Sequence, residues 1–228
     1  MRLAAQDLRL ELIGGIDKGD QLIDYIDQCD TLIEFAHHSI SGVLAKRAVE
    51  YGKALVIGTT GHTDEERKAI ETAAQTVPIV FSPNFSVGVN LLFHLTRIAA
   101  ETLGENYDQE VVEMHHRHKL DAPSGTARRL AEILAEEAGG TYENLTKHGR
   151  HGDVGERPKR IIGMHALRGG DVVGDHTVHF ASTGERIELT HRASNRDTFA
   201  LGALRAAQWV STQKPGLYSM QDVLGLKR

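Results

Sequence analysis

The chain has 228 residues, 40% of them hydrophobic and 25% charged, which fits one large or two small globular domains with buried cores. Its net charge of −5 argues against nucleic acid as the main partner. No apolar run is long enough to span a bilayer, and charges break the opening M-R-L-A-A-Q-D-L-R-L too often for a signal peptide.

The only cysteine, Cys29, excludes an intrachain disulfide and a paired-cysteine metal motif; it reads as an ordinary thiol of a cytoplasmic protein. Leu8–Asp17 (L-R-L-E-L-I-G-G-I-D) reads as a strand ending in an acid. Thr31–Ala36 is a second strand, and Ser39 is expected to cap a helix running to about Tyr51. Lys53–Ile57 is a third strand, followed by Gly58-Thr59-Thr60-Gly61. Thr63-Asp64-Glu65-Glu66 has the pattern of a capping box opening the next helix. Val77–Phe81 is a fourth strand, followed by Ser82-Pro83-Asn84-Phe85. Strands alternating with helices imply a parallel sheet of Rossmann-like type. Such a unit should open with a strand and a glycine-rich turn. Here Met1-Arg2-Leu3-Ala4-Ala5-Gln6 reads as the last turns of a first helix, so the sheet is expected to be truncated at its N-terminus.

The pattern changes near Asn84. Val89–Leu103 reads as a long helix with Leu91, Leu92, Leu95, Ile98 and Ala99 on one stripe. Tyr107–His116 reads as a strand, Ser124–Ala138 as a helix, and Gly139–Lys159 as a loop. Three strand-like runs follow without a helix between them: Arg160–Arg168, Asp171–Ser182 and Glu185–Ala193, with turns at Gly169-Gly170 and Thr183-Gly184. That succession implies an antiparallel or mixed sheet in a second domain of α+β type. Arg196–Ser211 is a strong amphipathic helix and Ser219–Leu226 a short one. The expected division is residues 1–85 with 196–228, and 86–195.

The chemistry concentrates in Glu113–Ala127, E-M-H-H-R-H-K-L-D-A-P-S-G-T-A. His115 and Lys119 share a face on either a strand or a helix. Four strand residues span roughly 13 Å, so a shared role for the two requires a bend, and Asp121-Ala122-Pro123 is a place for one. Pro123-Ser124-Gly125-Thr126 precedes a helical run, whose free N–H groups and dipole suit an anion. Together these features point to a carboxylate or phosphate site, against a solvated basic patch as the bland alternative. A metal site on His115, His116 and His118 is disfavoured: adjacent strand histidines diverge and no H-E-x-x-H is present. In the first half, Asp17 stands where dinucleotide folds place the ribose-binding acid, and Lys18 could meet a 2′-phosphate; a plain Asp-Lys-Gly turn is the alternative. The segments after the third and fourth strands lie where a cofactor approaches a parallel sheet.

E-M-H-H-R-H-K-L-D-A-P-S-G-T-A resembles the signature of the dihydrodipicolinate reductase family. V-I-G-T-T-G at Val56–Gly61, N-F-S-V-G-V-N at Asn84–Asn90, R-G-G-D-V-V-G-D-H at Arg168–His176 and A-S-N-R-D-T-F-A at Ala193–Ala200 support it in the same order. The resemblance implies NADH- or NADPH-dependent reduction of a cyclic dicarboxylate in bacterial lysine and meso-diaminopimelate synthesis. It implies His115 as acid/base and Lys119 as proton donor, with His116, Gly125, Thr126 and Arg196 at the substrate. It places Asp17, Lys18, Gly58, Thr59, Thr60, Ser82, Pro83, Asn84 and Phe85 at the cofactor. Residues 1–85 with 196–228 then form the dinucleotide-binding domain. Residues 86–195 form the substrate-binding domain, through whose sheet a homotetramer assembles. Ala36-His37-His38 departs from the family's Thr and Pro after the Phe. The rivals are a derivative that keeps the substrate domain but binds cofactor poorly, and a metal-dependent hydrolase.

Overall fold

The computed structural model describes residues 1–17 and 19–226. The chain separates into two compact units, Met1–Val87 with Asp197–Arg228, and Gly88–Arg196.

The first unit contains α1 (Ile23–Ile26), β1 (Thr31–Glu34), α2 (His38–Tyr51), β2 (Ala54–Ile57), α3 (Asp64–Ala74) and β3 (Pro78–Phe81). Its sheet is parallel, in the order β1-β2-β3 followed by a strand from the end of the chain. All of β2 (A-L-V-I) is buried, as expected of a central parallel strand covered on both faces. Leu55, Ile57 and Ile79 pack with Ala45, Ala48 and Ile70, whereas Val56 and Val80 belong to a second cluster. Thr63 and Glu66 form the expected capping box at α3. Helix α2 is capped not by Ser39 but by His37, whose ring accepts the Ser39 N–H.

Leu8–Asp17 forms no strand. Its backbone bonds are local, such as Leu10 N–H to Asp7 O, and Leu8 is fully exposed. Alternation alone does not make a strand; a neighbouring strand must take up the N–H and C=O groups, and none among the described residues pairs with this run.

The second unit begins with α4 (Val87–Leu103), which straddles the boundary, and continues through β4 (Asp108–His115), α5 (Gly125–Glu137) and α6 (Tyr142–Leu145). It then runs through β5 (Thr146–His148), β6 (Ile162–Arg168), β7 (Gly174–Ser182) and β8 (Glu185–Ala193). The expected loop Gly139–Lys159 therefore holds a helical turn and a short strand. The sheet order is β5-β6-β4-β7-β8, parallel from β5 to β4 and antiparallel beyond. Thr183-Gly184 is a hairpin turn between β7 and β8, with Gly184 at φ +87°. Gly169-Gly170 is not one: β4 lies between β6 and β7, so the chain crosses over it.

Helices α4 and α5 share one core with β4, β6 and β7, centred on Phe93, Leu130, Leu134, Val111, Ile162, Val178 and Phe180. The stripe expected on α4 is only half right. Leu92 is buried, but Leu91, Leu95 and Ile98 are 42%, 40% and 44% exposed, and Val89, Phe93 and Thr96 turn inward instead. The helix carries two apolar arcs, and burial chose the other one.

The chain closes in the first unit with α7 (Asp197–Val210), β9 (Gly216–Tyr218) beside β3, and α8 (Met220–Val223). Ala203, Ala206, Ala207 and Val210 of α7 pack in the same cluster as Val56 and Val80.

Candidate active site

Strand period puts Val111, Glu113 and His115 on one face of β4, and all three are buried. Register brings in the partners: Arg168 on β6 lies opposite His115, and His176 on β7 lies opposite Glu113. The Glu113 carboxylate, 1% exposed, meets four groups. Its Oε2 lies 2.5 Å from His115 Nδ1 and accepts Arg168 Nη1–H at 2.9 Å. Its Oε1 accepts Arg168 Nη2–H at 2.8 Å and the Ser124 N–H at 3.1 Å. Burial alone would raise the carboxyl pKa; Arg168, His115 and the Ser124 amide outweigh it and hold the group below the usual glutamate value. Arg168 also donates to Asp121 O at 2.6 Å. His176 Nε2 lies 3.1 Å from Ser124 Oγ, and its ring meets His115 edge to face at 5.2 Å. Burial, reinforced by the charge of His115, lowers the His176 pKa to about 3, so this ring is neutral.

The strand ends at His115, and the chain then turns. The His116 N–H donates to Val172 O at 2.7 Å, Arg117 N–H to Gly170 O at 3.2 Å, and Lys119 N–H to His116 O at 3.1 Å. The chain thus bends directly after His115, ahead of the Asp121-Ala122-Pro123 segment where the sequence suggested it. Lys119 Nζ pairs with Asp121 Oδ1 at 2.8 Å. The Ala122–Pro123 bond is cis, and α5 starts after Ser124, whose Oγ accepts the Ala127 N–H at 3.3 Å. Gly125 is exposed, with open space where a side chain would stand, and Thr126 is half-buried. His116, Arg117, His118, Gly170 and Asp171 line an open depression. Burial lowers the His116 pKa, and the charge of Arg196 lowers it further. His115, His116, Lys119, Arg196 and the start of α5 thus gather around the end of β4.

In the first unit, Gly58–Thr60 and Ser82–Phe85 are adjacent at the carboxyl ends of β2 and β3, with Ser82 N–H donating to Ile57 O at 3.2 Å. Pro83 and Thr60 are exposed, whereas Phe85 is a core residue that meets Phe35 edge to face. A Cβ at Gly58 would lie 2.1 Å from the Phe35 ring, so a side chain there would displace that ring. Beneath the turn, buried Glu34 accepts the Thr59 and Ser41 hydroxyls on Oε1, both at 2.9 Å. Ser41 Oγ in turn lies 2.8 Å from His62 Nε2. Glu34 Oε2 and His62 Nδ1 are buried with no partner among the described residues. Spare buried polar capacity under the carboxyl ends of parallel strands suits a polar ligand such as a dinucleotide. Asp17 sits in the irregular exposed segment, not at a strand end, with its N–H on Asp20 Oδ2 at 2.8 Å. Lys18 lies outside the described residues.

Sequence reasoning assigned no role to Glu113, Arg168, Ser124, His176 or Glu34. Glu113, two residues before His115, was detectable from strand parity. The Arg168 and His176 contacts arise from pairing between distant strands and leave no local mark. Among the described residues, no helix is long and apolar enough to cross a membrane, and no group of three or more His, Cys, Asp or Glu could hold a metal ion.

The sequence matches the family description "Dihydrodipicolinate reductase, N-terminus" over residues 6–85 and "Dihydrodipicolinate reductase, C-terminus" over residues 88–224. It is 59% identical over 212 residues to the 4-hydroxy-tetrahydrodipicolinate reductase of Akkermansia muciniphila, covering 93% of this chain and 86% of that protein. It is 51% identical over 213 residues to the enzyme of the same name from Hahella chejuensis, covering 93% and 80%. The dipicolinate-bound dihydrodipicolinate reductase from Paenisporosarcina sp. TG-14 shares the fold, with a TM-score of 0.76 at 22% identity over 97% of this chain and 92% of that one. On two matched halves and relatives above half identity across nearly its whole length, the chain belongs to the dihydrodipicolinate reductase family.

Proposed function

We infer that this chain reduces 4-hydroxy-tetrahydrodipicolinate to tetrahydrodipicolinate, with NADH or NADPH as reductant, in lysine and meso-diaminopimelate synthesis. The observation that carries the reading is a buried histidine at the end of a central strand, beside a lysine, an arginine and an open helix start. Reduced nicotinamide, when bound, supplies the hydride. Gly58, Thr59, Thr60, Ser82, Pro83 and Asn84, at the carboxyl ends of β2 and β3, would hold it.

The remaining chemistry belongs to the chain's own side chains. Net reduction removes the 4-hydroxyl as water and adds one hydride and one proton to a conjugated C=C–C=N system. Hydride addition leaves negative charge on the ring, so an acid must deliver the proton. Lys119 donates it and His115 acts as acid/base. His116, Arg196 and the backbone N–H groups at Gly125 and Thr126 grip the substrate carboxylates. A dicarboxylate needs several cationic or amide partners, and this region concentrates them. The expected assembly is a homotetramer, which sedimentation equilibrium would test.

The test is steady-state turnover of the purified chain with each nucleotide, with binding followed by calorimetry. Turnover that survives chelators and falls about 100-fold or more in His115→Ala supports the reading. No nucleotide binding and no turnover would overturn it.

A further inference from the structure

The Glu113 carboxylate accepts three N–H groups of fixed polarity, two from Arg168 and one from Ser124. It is therefore an ionised acceptor, with no proton to offer its fourth partner. The hydrogen in the 2.5 Å contact with His115 must lie on Nδ1. In a neutral imidazole, a proton on Nδ1 leaves a lone pair on Nε2. Among the described residues, Nε2 of His115 has no hydrogen-bond partner. It faces the backbone of Gly174, the first residue of β7: a Cβ there would lie 3.0 Å from Nε2, closer than to any other atom. The φ of Gly174 does not call for glycine. A side chain at this position would crowd that nitrogen.

We propose that Glu113 is a positioning residue that holds His115 as the Nδ1–H tautomer, that Nε2 is the atom exchanging a proton with the substrate, and that Gly174 keeps Nε2 uncovered. The proposal rests on the reading of His115 as the acid/base. It also gives Glu113 a second task. Its Oε1 holds the N–H of Ser124, the cap of α5, so one carboxylate sets both the proton-handling ring and the helix start that would grip the substrate. The charged or titratable groups around His115 are Glu113 on its own strand, His116 beside it, Arg168 from β6, His176 from β7, and Lys119 with Asp121 from the turn beyond. Of these, Glu113 alone bonds to the ring.

The experiment is nitrogen-15 NMR of the imidazole rings in the full chain, with His115 assigned by difference against His115→Gln. The expected spectrum at high pH shows a protonated Nδ1 and a lone-pair Nε2. Glu113→Gln removes the anion and allows the ring to take the Nε2–H form. Its kcat should fall at least about tenfold. Loss of the anion disfavours the imidazolium, so the acid limb of kcat/KM should move to lower pH by about one unit. Glu113→Asp, which keeps the charge, should restore the pH profile toward that of the unaltered chain even where kcat stays low. A change of packing alone would move neither the tautomer nor the pH limb. An Nε2–H signal for His115 in the unaltered chain would overturn the proposal even if the Gln variant does not fold. So would a Glu113→Gln variant with unchanged tautomer and unchanged pH profile. Full turnover in His115→Gln would instead remove the acid/base reading, and the ring spectrum would still decide whether Glu113 sets the tautomer.

Discussion

Each unit buries one glutamate beside its candidate site, and the two are satisfied in different ways. Glu113 has an arginine, a histidine and a backbone amide on its two oxygens, so its charge is fully met. Glu34 has only the hydroxyls of Ser41 and Thr59, both on Oε1, while Oε2 is buried without a partner. The attached histidines differ as well. His115 donates from Nδ1 to a carboxylate. His62 donates from Nε2 to Ser41, whose own hydrogen goes to Glu34, and its Nδ1 is unpartnered. A fully bonded charge fixes geometry before the substrate arrives. A half-bonded one leaves room for a polar group still to come. Under the proposed function the contrast suits a reductase: the centre at His115 is built in advance, and the centre beneath Gly58–Thr60 is left to be completed.

The largest effects should appear when the charged centre loses a proton-handling group. Lys119→Ala should lower kcat by about 100-fold or more, measured by nicotinamide absorbance; a near-normal rate would remove the donor role of Lys119. Next come the two glutamates. Glu113→Ala strands the Arg168 guanidinium and should cost about 3–5 kcal/mol in urea unfolding. Glu34→Ala, which leaves only hydroxyls that can turn elsewhere, should cost about 1–2 kcal/mol. Equal costs would erase the distinction between the centres.

A smaller effect is set by pH. Burial of His176 lowers its pKa from 6.5 to about 3. Below about 6.5 the unfolded ring takes up a proton that the folded ring refuses until about 3. Stability should therefore fall as pH drops through that window, with Glu113 adding the same trend below the usual glutamate range. Urea midpoints across the window check the sign, and His176→Asn should flatten the slope. The smallest change is expected at Arg117, exposed on the turn. Arg117→Ala should alter kcat/KM less than about threefold.

The chain-order alternation of strands and helices was legible because central strands such as A-L-V-I carry their burial in their composition. That a bend was needed was legible, because His115 and Lys119 lie too far apart on a straight strand; its place was not, since the chain already turns after His115, ahead of Asp121-Ala122-Pro123. Pairing was harder. Arg160–Arg168 and Asp171–Ser182 look like a hairpin across two glycines, and nothing local announces that β4 inserts between them. The contacts of Arg168 and His176 follow from that insertion. On α4, two apolar arcs compete, and helix periodicity cannot say which meets a core supplied by β4, β6 and β7. Leu8–Asp17 misled because alternation reports a preference for extension and says nothing about a neighbour to bond.

The position of β4 at the middle of its five-stranded sheet has a kinetic meaning. A slip of one residue would swing Glu113 and His115 to the opposite face and bring Val112 and Met114 in their place. Halfway arrangements of this strand therefore carry no usable reaction centre, and catalytic competence switches on as a step when the last neighbours dock. Regain of turnover during refolding should track closure of this sheet, which makes the enzyme a reporter of its own completion.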